Sequence, residues 1–223
     1  MMKSRPRPFK GDDRRSGGGI ESEVVVATVN GRAYFDFVQL LGGLGLRYVS
    51  KLPWEVSGSE TRLLLTTRKE LEAGYPGDHL LYEDLSGRRL LDSSKVLAHL
   101  LEGRRDTLVV GMDPGENTGI ACLYRGHDLF ATSCDSLDRA ADLVCEVLKV
   151  ESKEKLVRIG KGDRQRAIFL ARGIRDRCSG KMRIELVDER GTTKTMRAPI
   201  HRHGRRDASS ALIIARKQGS EFR

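Results

Sequence analysis

Residues 107–124 read Thr107-Leu108-Val109-Val110-Gly111-Met112-Asp113-Pro114-Gly115-Glu116-Asn117-Thr118-Gly119-Ile120-Ala121-Cys122-Leu123-Tyr124. Two apolar runs flank a Pro-Gly-Glu-Asn segment, which is the composition of a β-hairpin with a tight turn. A third strand, Asp128 to Ser133, follows the turn Arg125-Gly126-His127, so the spacing predicts an antiparallel meander. Beyond it the apolar period lengthens. Ser136 stands before a helix whose residues Leu137, Ala140, Ala141, Val144 and Leu148 make one stripe. Leu156 to Ile159 predicts a strand and Asp163 to Arg177 a helix with Ala167, Leu170, Ala171 and Ile174 inward. Met182 to Asp188 predicts a strand and Arg206 to Lys217 a final helix. The order β-β-β-α-β-α-β-α specifies an α/β fold, a mixed five-stranded sheet with helices on its faces.

Upstream, Val24 to Val29 is a β-branched run fit for a buried strand. Ala33 to Leu44 has apolar residues at helical spacing and ends at Gly42, Gly43 and Gly45. Leu46 to Leu52 reads as extended, Thr61 to Thr67 as a strand, Arg68 to Ala73 as a short helix and His79 to Tyr82 as a strand. Ser93 to Leu101 reads as a helix capped by Ser93 or Ser94. The chain thus divides into a flexible basic arm (1–22), a small α/β domain (23–105) and the larger sheet domain (106–223). The glycines of the small domain do not form a dinucleotide-binding pattern, so no cofactor is assigned to it. The tail Gly219-Ser220-Glu221-Phe222 receives no role, and there is no internal repeat.

With 223 residues, 39% hydrophobic and 32% charged, the chain is neither disordered nor fibrous. Its apolar runs are far shorter than the roughly 20 residues that cross a bilayer, and the arm lacks the apolar segment of a secretory signal. No membrane association and a cytoplasmic location are expected. The four cysteines, Cys122, Cys134, Cys145 and Cys178, contain no Cys-x-x-Cys pair and read as small core residues. The formal charge of +9 fits a partner rich in phosphate. Residues 1–106 hold 17 Lys and Arg against 15 Asp and Glu, whereas 107–223 hold 23 against 16. Most of the excess surrounds one acid, Asp207: residues 190–217 carry eight basic side chains and no other carboxylate.

Ligands of open α/β sheets bind at the carboxyl ends of the parallel strands. Acids predicted at such ends are Asp113, Asp163 and the pair Asp188 and Glu189, with Asp207 opening the last helix. Carboxylates held together repel one another unless a cation sits among them, and Mg²⁺ or Mn²⁺ suits such oxygen donors. Each acid also has a plainer reading: a turn former at Asp113, helix caps at Asp163 and Asp207, a solvated strand end at Asp188 and Glu189. The latter two point to opposite faces of a regular strand, so one of the pair ligates. The glycines of the hairpin leave its backbone open to close approach by a phosphate or metal. Lys161, Arg190, Lys194, Arg205 and Arg206 are candidate phosphate contacts. His201 and His203 are candidates for moving a proton, with loop histidines as the plainer reading. Few aromatics accompany the basic residues, which favours backbone and shape recognition over base stacking.

Three runs together, Val110 to Gly115 with Thr118 to Ala121, Leu186 to Arg190 with Thr192 and Thr193, and Arg205 to Ala211, resemble the RuvC/YqgF group of RNase H-fold nucleases. The resemblance covers roughly residues 107–219. It implies an RNase H-like domain in which Asp113 is the first-strand metal ligand, Glu189 the acid of the Asp-Glu-Arg motif and Asp207 the carboxylate of the C-terminal helix. RuvC-type resolvases place a Glu after the fourth strand; here Asp163 stands nearby, behind Gly160-Lys161-Gly162. The second acid is therefore open among Asp163, Asp188 and Glu189. The implied activity is Mg²⁺-dependent cleavage of structured nucleic acid, a Holliday junction or structured RNA, for recombination or RNA processing. A homodimer is implied as well. A second reading keeps the fold as a binding protein without turnover, its N-terminal domain serving as adaptor for a protein partner. A third, a sugar-kinase or actin-like ATPase, needs two related subdomains, and only one Asp-x-Gly-like hairpin is present.

Overall fold

The computed structural model describes residues 24–56, 61–72, 75–188 and 203–222, with side chains in the last stretch from Asp207 onward. The first sheet is wholly parallel. Its strands are β1 (Val24–Ala27), β2 (Tyr48–Lys51), β3 (Leu63–Thr66) and β4 (His79–Leu81), in spatial order β2-β1-β3-β4. Helices α1 (Gly31–Gly43) and α2 (Arg89–Leu100) supply Phe37, Leu41, Leu97 and Leu100, which bury the face carrying Val24, Val26, Leu63 and Leu65. The Asn30 carboxamide caps α1 by accepting from the amides of Arg32 and Ala33.

Two local expectations are corrected here. Residues 68–70 form a turn, not a helix, because the Glu70 side chain folds back to accept from the hydroxyls of Thr28 and Thr67 (both 2.6 Å) and the Val29 amide (2.7 Å). Ser93 and Ser94 are not caps, since α2 begins four residues earlier and buries both. Its start is held instead by the Asp92 carboxylate, which accepts from the Ser86 amide and hydroxyl.

The second sheet has order β10-β9-β8-β5-β6-β7. Strands β5 (Thr107–Pro114), β6 (Thr118–Tyr124) and β7 (His127–Cys134) form the expected meander, and β8 (Glu154–Gly160) and β9 (Arg183–Val187) lie parallel to β5. Helices α3 (Leu137–Val147), α4 (Arg164–Arg177) and α5 (His203–Arg216) alternate with the later strands as predicted. The sheet has six strands rather than five. The chain end folds back as β10 (Ser220–Glu221), antiparallel to β9, with the Phe222 amide donating to Ile184 O.

Helices α3 and α4 share one face of this sheet, packing Ala140, Val144, Leu170 and Ile174 over Leu108, Val110, Ile120 and Val157. That cluster is continuous with the core of the first sheet. The cysteine expectation also needs correcting: Cys145 of α3 and Cys178 at the end of α4 form a disulfide, while Cys122 is buried and free and Cys134 is half-buried and free. The other face belongs to α5, which crosses β5, β6 and β7. Among the described residues no helix is long and apolar enough to cross a membrane.

Candidate functional site

Close approach of α5 is written into β5 and β6. A methyl group added to Gly111 would lie 2.2 Å from the Ala211 carbonyl oxygen, and one on Gly119 would lie 2.1 Å from that of Asp207. These glycines therefore admit the backbone of α5, where sequence reasoning reserved them for a ligand. Asp207, Ala211 and Ala215 recur at four-residue spacing along the helix face that meets the sheet.

This seating decides which acids meet. In the antiparallel register Asp113 stands directly opposite Gly119. Strand alternation puts Asp113 on the same face as Gly111, the face α5 covers. Asp207, pressed onto Gly119, is thus brought beside Asp113 from a segment about 90 residues away. Both residues are half-buried, and the Asp207 carboxylate has no hydrogen-bonding or ionic partner among the described residues.

Two charged anchors fix the distal half of α5. Arg158 of β8 pairs with Glu185 of β9 at 2.9 Å, their side chains 13% and 9% exposed, and Arg158 also donates to Ala215 O at 2.7 Å. Arg216 pairs with Asp128 of β7 at 2.6 Å. These anchors were missed from the sequence, although Arg158 and Glu185, each flanked on both sides by apolar residues within a strand, were the available signal.

The remaining predicted residues are placed as follows. Asp163 caps α4, accepting from the Arg166 amide at 3.0 Å and lying 3.4 Å from the Arg166 guanidinium. Arg166 in turn donates to Gly115 O in the β5–β6 turn, tying the α4 start to the end of the hairpin. Asp188 follows β9 and pairs with Lys161 at 3.6 Å, so that candidate phosphate contact already has an acidic neighbour. The last residue of β8, paired with Val187 of β9, is Gly160, which has no side chain to hold an ion. Glu189, Arg190, Lys194 and His201 lie outside the described residues; His203, Arg205 and Arg206 fall in the first turn of α5, with side chains outside them. Among the described residues no group of three or more His, Cys, Asp or Glu assembles. What the described residues bring together is the Asp113 and Asp207 pair, at the carboxyl end of the parallel strands.

No protein-family profile matches the chain, and no curated protein matches it significantly. Among solved structures, a crystal structure of the Argonaute Aa-Ago with externally bound siRNA aligns with 74% of this chain at 9% identity and a TM-score of 0.27. The chain spans about a third of that protein's length, 35%. A likeness at that score assigns neither a fold family nor a role.

Proposed function

We propose that the protein is an endonuclease dependent on Mg²⁺ or Mn²⁺ that hydrolyses a phosphodiester in structured nucleic acid, a DNA junction or folded RNA. The observation that carries this reading is the seating of Asp207 on Gly119, directly across from Asp113, with the Asp207 carboxylate unpartnered among the described residues. The two carboxylate residues stand at one end of the sheet, where a cation would join them. Their hard oxygen donors fit Mg²⁺, which takes one or two carboxylates and keeps several waters. Asp113 and Asp207 would hold the ion, joined by Glu189 two residues past β9. When bound, such an ion lowers the pKa of water and offsets charge on the phosphate oxygens. The chain's own part is positional: β5 fixes Asp113 within the sheet, and the glycine seats fix Asp207 against it. Basic residues around Asp207 would hold the flanking phosphates, and His201 or His203 would move the proton.

One observation favours a second reading, a binding protein without turnover. The β8 end carries Gly160, and Asp163 is engaged as a helix cap, so no second acid stands beside Asp113 from that strand.

Cleavage of four-way junctions, duplexes, hybrids and structured RNA in Mg²⁺ or Mn²⁺ separates the two. The nuclease reading expects Asp113→Asn to lose at least about 100-fold in cleavage rate while still binding the substrate. Cleavage unchanged by that substitution removes it; salt-sensitive binding with no product from the wild type selects the adaptor.

A further inference from the structure

Seven large apolar side chains stand exposed among the described residues, and six of them fall within residues 29–54: Val29, Tyr34, Phe35, Val49, Leu52 and Trp54. Apolar residues scattered singly over a surface are ordinary, whereas their concentration in one unit marks a contact. That unit is β1-α1-β2. Helix α1 is its unusual member, because a helix lying on a sheet normally turns polar residues outward. Its inward face holds Ala33, Phe37, Leu40 and Leu41, all buried. Arg32, Asp36 and Gln39 occupy one flank, where Asp36 accepts from the Tyr82 hydroxyl at 2.8 Å and Gly43 meets Arg89 of α2. The outward stripe is Gly31, Phe35, Val38 and Gly42, without a charge. Phe35 is 61% exposed, and nothing lies within 4 Å of a methyl group added to Gly31 or Gly42.

The spacing of this stripe selects its occupant. Steps of four, three and four residues are those of a seam between two packed helices. They also read the same in both directions. A second α1 running antiparallel therefore meets the stripe in register about a two-fold axis, the Phe35 of each copy against the Val38 of the other and glycine against glycine at both ends. Charge agrees with that sense. Arg47 follows α1 at one end of the unit, exposed and without a partner among the described residues. Glu55, also exposed, follows β2 at the other end, where the Tyr34 hydroxyl of the first turn of α1 lies 2.9 Å from that of Ser50. Antiparallel copies bring these opposite charges together. A phosphate-rich partner is not favoured, since residues 29–55 hold three basic against two acidic side chains. Large aromatic side chains cover about 150–250 Å² each when buried, so Phe35 and Trp54 alone bring a sizeable share of the roughly 800 Å² that a stable interface takes from each partner.

We propose that the outer face of α1 is the surface through which two copies of this chain associate, their α1 helices antiparallel, with Phe35 at the centre of the contact and Trp54 at its rim. The resemblance that implies a homodimer covers residues 107–219 and names no contact in the first sheet. This interface gives the small domain a role of its own and does not rest on the nuclease reading.

The test is sedimentation velocity of the full chain over a wide range of protein concentration, with circular dichroism to show that each variant is folded. Wild type is expected to sediment as a dimer in exchange with monomer. Phe35→Asp changes an exposed residue and is expected to weaken association about 30-fold or more, as loss of a central aromatic anchor does. Phe169→Asp, at the exposed phenylalanine of α4, should leave association unchanged. Gly42→Leu distinguishes a packed seam from an adhesive patch. It adds apolar surface and suits the helix, so an adhesive patch would associate more tightly. A seam in which glycine admits glycine is overpacked and should associate about 10-fold more weakly. A wild type that stays monomeric throughout, a Phe35→Asp variant that associates as wild type does, or tighter association of Gly42→Leu overturns the proposal. A chain that is monomeric until residues 1–22 are removed and dimeric afterwards gives this face to the arm and overturns the second copy as its occupant.

Discussion

Gly119 leaves no room for a side chain. An alanine there drives a methyl group into the backbone of Asp207, 2.1 Å from its carbonyl oxygen, and backbone yields less readily than a side-chain tip. Gly119→Ala is expected to cost about 1–3 kcal/mol in urea unfolding and, on the proposed nuclease reading, to lower cleavage by shifting Asp207 away from Asp113. Gly173 is the control. It lies inside α4 with nothing within 4 Å of an added methyl, so Gly173→Ala is expected to raise stability by about 0.5–1 kcal/mol. If both substitutions are neutral, the close seating of α5 is wrong. The two glycine seats also mark where sequence reasoning stopped. The strand end at Asp113 was legible because it is a local pattern, whereas the last helix begins at His203, so Asp207 lies four residues inside it rather than at its start. What the glycines admit was not legible, because the partner that meets Gly119 lies about 90 residues downstream and period and composition carry no record of it.

Pairings between elements were legible where they are sequential and lost where they are not. The meander β5-β6-β7 and the alternation after it follow from turn chemistry and the change of period. The Cys145–Cys178 bridge between α3 and α4 does not, since a separation of 33 residues specifies no geometry. Nor did a two-residue strand at the chain end have enough length to show a period. In the chain-entropy model a loop of that size gains about 3–4 kcal/mol from closure. The midpoint of urea unfolding should therefore fall in dithiothreitol, and Cys145→Ser/Cys178→Ser should start low and not respond to reductant. In the first sheet, Glu70 bridges the ends of β1 and β3. Burial acts to raise its pKa, but donation from Thr28, Thr67 and the Val29 amide outweighs it and holds the carboxyl below its ordinary value. The folded carboxylate then binds its proton less readily than the unfolded one. Its contribution is complete above about pH 4.5 and is lost as pH falls through the lower folded value. Glu70→Gln is expected to cost about 1–2 kcal/mol near neutral pH, with the gap from wild type closing on acidification. A pH-independent gap means that the charge on Glu70 contributes nothing.

At the scale of the whole molecule, the question is how a nearly neutral half comes to be fixed to a strongly basic one. The apolar cluster is shared, but apolar contacts alone set no orientation. Arg125 does. It sits in the β6–β7 turn at φ +50°, in the left-handed region, with Gly126 after it at φ +81°, the pairing that matches strand twist in a two-residue hairpin. Its guanidinium donates to the carbonyls of Ala98 and Leu101, both 3.2 Å, at the carboxyl end of α2, where helix carbonyls lack partners and the dipole favours a cation. It also lies 3.6 Å from the half-buried Asp106, in the link between the two sheets. The turn thus fixes where the first sheet stands against the second. Arg125→Asn separates the two roles of the residue, because asparagine accepts the left-handed backbone but does not reach α2. Lost charged hydrogen bonds of this kind cost about 1.5–3 kcal/mol, and the expected signature is local. Amide hydrogen exchange should quicken in the last turn of α2 while β5 and β6 keep their protection. Equal exchange in both proteins would show that Arg125 does not hold α2 in its orientation over the meander.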